Sequence, residues 1–145
     1  MTNVILEVKN LNVEFTTDDG IVHAVNDVSY TVERGKTLAI VGESGSGKTV
    51  LSRSIMGLLG RNNLIREGSI KFNGQELMGL SVKEMRSIWG REMSMIFQDP
   101  MSALHPYYTI GDQIIEAHQI HNQCDEEESA KRAIELLEIV GISDA

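Results

Sequence analysis

The residues with the clearest chemical potential lie in the stretch GESGSGKT, residues 42 to 49. This stretch matches the pattern G-x-x-x-x-G-K-[ST], in which glycines let the backbone curl and point successive N–H groups at a polyphosphate. The ammonium of Lys48 would reach the β- and γ-phosphates, and the hydroxyl of Thr49 would ligate Mg²⁺. An ordinary tight glycine turn is the alternative interpretation. The pattern predicts a nucleoside triphosphate and Mg²⁺ site formed by Gly42, Ser44, Gly45, Ser46, Gly47, Lys48, Thr49 and Val50.

A serine nucleophile is the competing chemistry, because GESGS resembles the strand–turn–helix elbow G-x-S-x-G of hydrolases. With Ser44 at the centre of that elbow, the second glycine position holds Ser46. With Ser46 at the centre, the flanking positions hold Ser44 and Lys48. Neither spacing fits, so both serines are assigned to the phosphate loop.

The elements on either side of the loop must position it. Residues 37–41, TLAIV, form a short apolar run that predicts a central strand covered on both faces. After the loop, apolar residues recur at i, i+4, i+7 and i+8, which predicts the buried stripe of a helix ending near Gly60. These apolar residues are Leu51, Ile55, Leu58 and Leu59. The order strand, glycine loop, helix is the context that a phosphate-binding loop requires.

The remaining elements predict an α/β fold. VILEVKNLNVEF and IVHAVNDVSYTVERG alternate apolar and polar residues, which predicts an antiparallel β meander. GSIKFNGQEL predicts a strand and a turn, SVKEMRSIWG a short helix opened by Ser81, and EMSMIFQ a second buried strand. Residues 110–120 and 130–139 have the spacing of helices.

This order of elements divides the chain into three parts. We expect an antiparallel β subsheet over residues 1–36, a P-loop core segment over residues 37–98 and the start of a helical subdomain over residues 99–145.

Composition and charge narrow the function classes. The net charge of −8 argues against sequence-independent nucleic-acid binding, which needs a basic surface. No apolar run approaches the roughly 20 residues of a membrane-spanning helix. The single cysteine, Cys124, is consistent with a reducing compartment. We therefore expect a cytoplasmic protein that binds no nucleic acid.

A metal site is a second alternative, because His118, His121 and Cys124 recur every three residues and acidic residues follow. Imidazole and thiolate are ligands that Zn²⁺ prefers. Nothing else in the chain offers a paired ligand cluster, so a solvated, polar helix end is the preferred interpretation.

Two stretches together, VGESGSGKT and MIFQDPMSALHP, resemble the ATP-binding subunits of ATP-binding-cassette (ABC) transporters, in particular the oligopeptide and dipeptide importer branch. LEVKNLNVEF, GSIKFNGQEL and IGDQIIEA are also similar to that branch, so the resemblance covers nearly the whole chain. It implies a P-loop NTPase core that binds ATP and Mg²⁺, and an ATPase that powers uptake of peptides or similar small solutes. His105 stands where the branch usually has asparagine, and Thr49 replaces the commoner serine. Neither departure threatens phosphate binding.

The resemblance also implies roles for residues outside the loop. Gln98 is similar to the glutamine that contacts Mg²⁺ and the attacking water, and Phe15 occupies the place of an aromatic residue that stacks on adenine. From the residues alone, Gln98 is a strand exit and Phe15 a core or strand-face residue. Residues 99–108 would contact a membrane permease, and a second ATPase subunit would pair with this one. The protein would then be peripheral on the inner face of the cell membrane.

Hydrolysis requires more than a phosphate cradle. It needs a carboxylate that holds Mg²⁺ and another that polarises water, and no apolar run in this sequence ends in Asp-Glu. The resemblance implies that the Walker B strand, the signature and the switch histidine would follow Ala145. The alternatives are a nucleotide-binding fragment or interaction module without turnover, and a soluble ABC ATPase that serves no transporter.

Overall fold

The computed structural model describes residues 3–60, 62–99 and 103–142, and the chain forms two compact units. The first unit is Met1–Trp89 and the second is Gly90–Ala145. The boundary between them falls inside the predicted core segment 37–98, and the three-part division of the chain stays a prediction.

The first unit contains an antiparallel sheet of four strands in the order β2-β1-β3-β4. Its strands are β1 Val4–Thr17, β2 Gly20–Glu33, β3 Leu64–Phe72 and β4 Gln75–Glu76. β1 lies in the middle and pairs with β2 on one side and β3 on the other. The antiparallel pairing of the first two predicted strands and the strand and turn after them are therefore confirmed, but the order is not that of a meander, because β3 lies beside β1 and not beside β2.

The core of the first unit lies on one face of the central strand. Val8, Leu11 and Val13 of β1 are at most 1% exposed, and Ile70 of β3 is equally buried. Burying an aliphatic side chain of this size contributes about 1.5–3 kcal/mol each. An irregularity in the β1–β2 register between Val8 and Leu11 interrupts the alternation and lets both side chains be buried, and the buried residues of β1 anchor the hairpin that it forms with β2.

Helix α1, Lys48–Ile55, starts at the end of the glycine loop and buries Leu51 and Ile55 as predicted. It ends at Ile55 and not near Gly60, because Gly57 takes a left-handed φ of 66°. The N–H of Leu58 donates to the carbonyl of Arg53 at 2.8 Å, and the N–H of Gly57 donates to that of Ser54 at 3.1 Å. This pair of bonds is a Schellman motif, which satisfies the last carbonyls and turns the chain away. Leu58 is consequently 39% exposed.

Two predicted strands are not formed. Residues 37–41 have no strand pairing, and Leu38, Ile40 and Val41 are 44%, 44% and 90% exposed. Residues 94–97 also form no strand, and Ile96 is 93% exposed. A strand requires a neighbour to complete its hydrogen bonds, and no other segment of the described residues pairs along either run. The prediction that both runs are buried was therefore wrong.

The helices that follow α1 begin at side-chain caps, whereas α1 has none. Helix α2, Val82–Arg86, is capped by Ser81 as predicted, in a reciprocal capping box with Glu84. In the second unit, α3 Ile110–His121 begins at Thr109 and α4 Glu126–Ile139 begins at Asp125. The helices predicted over 110–120 and 130–139 are confirmed, and α3 and α4 pack against each other. Among the described residues, no helix combines the length and apolar character needed to cross a membrane.

Candidate functional site

The glycine loop passes directly into the N-terminus of α1. Gly45 and Gly47 have φ values of 83° and 87°, in the left-handed region that glycine adopts without strain. Gly47 is the N-cap residue of α1, and no side chain caps the helix there. The first N–H groups of the helix and its positive dipole end therefore face the loop, an arrangement that favours an anion.

The ammonium of Lys48 lies across this loop. Its Nζ donates to the carbonyl oxygens of Gly42 at 2.7 Å and Glu43 at 2.6 Å, and to the hydroxyl of Ser46 at 3.2 Å. These acceptors hold the positive charge over the concave side of the loop. The sequence prediction placed the lysine charge at the same position for a bound phosphate, so the residues present fit a polyphosphate.

Gly47 is required by space as well as by conformation, whereas Gly42 has only side-chain atoms near its hypothetical Cβ. A Cβ on Gly42 would lie 2.6 Å from the hydroxyl oxygen of Ser46. A Cβ on Gly47 would lie 2.2 Å from the carbonyl oxygen of Ala24, a backbone atom of β2 that cannot move freely. The loop is therefore curled on itself and seated against β2.

A cavity of about 530 Å³ lies beside the loop in the first unit. The loop residues Gly42, Ser46, Gly47 and Lys48 line it together with residues of β2, of the 38–41 segment and of α1. Its remaining lining residues are His23, Ala24, Val25, Asn26, Val28, Tyr30, Leu38, Ile40, Val41 and Leu51. Phe15 is not among these residues. The structure thus brings the predicted cradle together with two rings that the sequence interpretation did not select, His23 and Tyr30.

The imidazole of His23 is held by a hydrogen bond across the hairpin. Its Nδ1 lies 2.8 Å from Oε1 of Glu14, the residue that faces it in the β1–β2 register. The His23 side chain is 60% exposed and that of Glu14 is 26% exposed. Alternation along β2 does not indicate this position, because a register shift separates the Val13–Val25 pair from the Glu14–His23 pair.

Phe15 and Gln98, the two predicted site residues outside the loop, lie in different units. Phe15 is half-buried on β1, where it pairs with Val22 of β2 and Leu64 of β3. Gln98 is exposed and belongs to the second unit. Thr49 is exposed in the first turn of α1 and Val50 is half-buried there. Their predicted roles toward adenine, water and Mg²⁺ stay predictions.

The segment predicted to contact a permease, residues 99–108, includes residues 100–102, which lie outside the described residues. In the second half of this segment, the N–H of His105 donates to the side chain of Gln113 at 2.9 Å. The same side chain donates to the carbonyl of His105 at 3.1 Å. The His105 ring is tilted against Tyr108 at a centroid distance of 4.8 Å. Tyr107 and Tyr108 are 89% and 62% exposed. This half of the segment therefore presents aromatic surface from a backbone anchored to α3.

The alternative metal cluster does not assemble. Sγ of Cys124 lies 3.2 Å from Nδ1 of His118, and both contact the hydroxyl of Ser129. The ring of His121 packs instead over Gly90, where a Cβ would lie 2.1 Å from Nε2. Among the described residues, no group of three or more His, Cys, Asp or Glu could hold a metal ion. His118, His121 and Cys124 are half-buried and Ser129 is fully buried, so the preferred interpretation of this stretch as a solvated helix end is not supported.

Known proteins resemble the chain along almost its whole length. A dipeptide transport ATP-binding protein, DppD of Lactococcus lactis subsp. cremoris, is 50% identical over 142 residues, which are 97% of this chain and 41% of the relative. An oligopeptide transport ATP-binding protein, OppD of Haemophilus influenzae, is 46% identical over 143 residues, which are 99% of this chain and 44% of the relative. The chain thus spans less than half the length of these curated relatives.

Solved structures share the fold. The dimeric structure of MJ0796, described as a bacterial ABC transporter cassette, superposes with a TM-score of 0.83 at 22% identity. The superposition covers 97% of this chain and 59% of the cassette. The cbiO1 protein of Clostridium perfringens, part of the ABC transporter complex cbiONQ, superposes with a TM-score of 0.67 at 28% identity. It matches 98% of this chain, and 52% of cbiO1 is covered. The α/β fold with a partial P-loop NTPase core is thereby confirmed.

A family model completes the identification. The model for the ABC transporter family matches residues 25–145, which include the glycine loop, α1 and both helices of the second unit. The loop geometry, the shared fold and this match agree with the resemblance in the sequence: the chain belongs to the ABC transporter family.

Proposed function

We propose that this chain is the ATP·Mg²⁺-binding portion of an ATPase subunit that powers peptide uptake. The observation that carries the proposal is the glycine loop, which has two left-handed glycines, an uncapped helix N-terminus and a lysine ammonium directed over its concave side. A triphosphate carries several negative charges, which the backbone N–H groups of the loop, the helix N-terminus and the Lys48 ammonium can offset.

The names of the relatives support peptides or similar small solutes as the transported class. The Lactococcus lactis and Haemophilus influenzae relatives are described as dipeptide and oligopeptide transport ATP-binding proteins. Family membership supports ATP as the nucleotide, and a related cassette structure contains ADP and inorganic phosphate.

Each proposed ligand contact has a stated chemical role. Lys48 would leave the loop carbonyls for the β- and γ-phosphates, and the exposed hydroxyl of Thr49 would ligate Mg²⁺. Mg²⁺ supplies positive charge that offsets charge developing on the transferred phosphoryl group. Gln98 would contact Mg²⁺ and water, and Phe15 would stack on adenine. If Gln98 has this role, Gln98→Ala weakens the Mg²⁺ dependence of ATP binding, and an unchanged dependence contradicts it.

The proposed assembly is a membrane-associated complex on the cytoplasmic face. The exposed Tyr107 and Tyr108 support a protein contact through the 99–108 region, because aromatic residues are enriched in interfaces. A membrane permease is the partner that we propose for this region. The dimeric state of the MJ0796 cassette supports a second ATPase subunit as the other partner.

Calorimetric titration with ATP·Mg²⁺ tests the binding site. We expect Lys48→Ala to weaken ATP binding at least about tenfold, because a charge-assisted contact with phosphate contributes about 1.5–3 kcal/mol. Lys36→Ala is the matched control, since it removes an exposed lysine outside the loop. Undiminished affinity in Lys48→Ala, or equal losses in both variants, would show that the loop is not the nucleotide site.

A further inference from the structure

The imidazole of His23 borders the phosphate loop on the strand against which that loop is seated. The close approach between Gly47 and the carbonyl oxygen of Ala24 occurs at the residue next to His23. His23 also lines the same cavity of about 530 Å³ as Ser46 and Lys48. The cavity thus extends from the loop along this part of β2 and offers space for a group attached to phosphates in the loop.

The contact with Glu14 uses one of the two ring nitrogens of His23. Its Nδ1 lies 2.8 Å from the carboxylate of Glu14, so Nε2 is the ring nitrogen that this contact does not use. In a neutral imidazole with Nδ1 protonated, Nε2 is an acceptor, and in the protonated ring it is a donor. A ribose hydroxyl can satisfy Nε2 in either state, because a hydroxyl both donates and accepts.

We propose that His23 is a specificity residue of the nucleotide site, which contacts a ribose hydroxyl of the bound nucleotide through Nε2. Glu14 is its positioning residue. This assignment rests on the proposed binding of ATP at the loop. It adds a nucleoside contact on β2 to the phosphate contacts, and it differs from the adenine contact predicted for Phe15, which does not line the cavity. One such hydrogen bond corresponds to about a fivefold change in affinity.

Calorimetric titration with three ligands tests the contact: ATP, 2′,3′-dideoxy-ATP and inorganic tripolyphosphate, each with Mg²⁺. We expect His23→Ala and His23→Phe to bind ATP about fivefold more weakly than the unchanged chain. Both variants should bind tripolyphosphate and the dideoxy nucleotide as the unchanged chain does. The tripolyphosphate affinity also reports an intact loop, so a folding defect is recognised separately.

The variants also separate the contact from its alternatives. Glu14→Ala should weaken the binding of ATP but not of tripolyphosphate or the dideoxy nucleotide. Added to His23→Ala, it should weaken ATP binding no further. Full ATP affinity in His23→Phe would indicate stacking and overturn the hydrogen bond. Equal losses for ATP and tripolyphosphate, or a loss that persists with the dideoxy nucleotide, would also overturn it. Absence of any binding by the unchanged chain overturns the proposed function itself, whereas tripolyphosphate binding with no His23 effect overturns only this inference.

Discussion

Single residues in the loop are constrained by two separate physical requirements. Gly45 and Gly47 share a left-handed backbone conformation, which costs a residue with a Cβ roughly 1–2 kcal/mol. Only Gly47 also lies close to a strand, β2, whereas a Cβ on Gly45 would meet nothing within 4 Å. The two glycines therefore separate backbone strain from steric contact.

Gly47→Ala should destabilise the fold and weaken ATP binding more than Gly45→Ala. Both variants carry the strain of a positive φ, and Gly47→Ala adds a clash with the carbonyl of Ala24. We expect Gly45→Ala to lower the free energy of unfolding by about 1–2 kcal/mol, and Gly47→Ala by a further 1 kcal/mol or more. Urea unfolding followed by circular dichroism measures the difference. Equal losses would mean that the loop does not rest on β2.

The Glu76 carboxylate contributes stability that depends on pH. It accepts from the hydroxyl of Ser69 at 2.5 Å and from the N–H groups of Ile70 and Met78 at 2.9 and 3.0 Å. Burial raises the pKa of Glu76, but these hydrogen bonds and the charge of Lys71 outweigh it and lower the pKa below 4.5. Because the folded-state pKa is the lower one, the stabilisation is present above the unfolded-state value and is lost as pH falls through the folded-state value.

Glu76→Gln should therefore reduce the free energy of unfolding at pH 7 by about 1 kcal/mol, a low figure because solvent screens the partly exposed carboxylate. The difference from the unchanged chain should shrink as pH approaches 3. Glu67→Gln, at an exposed position on the neighbouring strand, serves as the control. A deficit that stays constant between pH 7 and 3 would rule out the carboxylate charge as its source.

At the scale of elements, the β1–β2 hairpin and helices α2 to α4 satisfy their backbone groups through neighbouring segments and caps. The 37–41 run has no such strand pairing. β1 and β2 pair along most of their length, and α2, α3 and α4 carry their own caps. The 37–41 run instead carries exposed apolar side chains on a backbone without strand pairing. Such a run is a template for association with another chain.

Purified chain should associate as its concentration rises, and Val41→Lys should reduce this association. Val41 is 90% exposed, so the change removes apolar surface without opening a cavity. Ile139→Lys is the control, since Ile139 is 72% exposed at the end of α4 in the second unit. Size-exclusion chromatography with light scattering at several concentrations measures the effect. Association that Val41→Lys leaves unchanged would exclude this run as the contact.

At the scale of the whole molecule, the chain covers 41% and 44% of the two peptide-transport relatives. It contains the phosphate loop, but no apolar run in its sequence ends in the Asp-Glu pair that would supply a metal ligand and a base. We therefore expect this chain to bind nucleotide without turnover.

The 145-residue chain should release no phosphate from ATP above the level of its Lys48→Ala variant. Steady-state phosphate release at saturating ATP·Mg²⁺ measures this, with a full-length relative as the positive control. Multiple turnover that Lys48→Ala removes would contradict the prediction. The carboxylate would then have to be sought among Asp99, Glu92 and Asp112.

The sequence by itself determined the features that depend on neighbouring residues along the chain. The glycine loop, the start of α1 and the Ser81 cap were predicted correctly, because glycine conformations, apolar periodicity and caps act over a few residues. The β1–β2 hairpin was predicted for the same reason, since its alternation and its turn are local.

Only the tertiary structure decided features that need two distant segments. Apolar runs at 37–41 and 94–97 have strand composition, but a strand forms only where a partner completes its hydrogen bonds, and composition does not reveal that partner. The seating of Gly47 on Ala24 and the entry of His23 into the loop cavity likewise depend on how β2 meets the loop. The glycine loop was therefore predictable from its spacing, whereas the residue proposed to contact the nucleoside was found only from the packing of a strand against that loop.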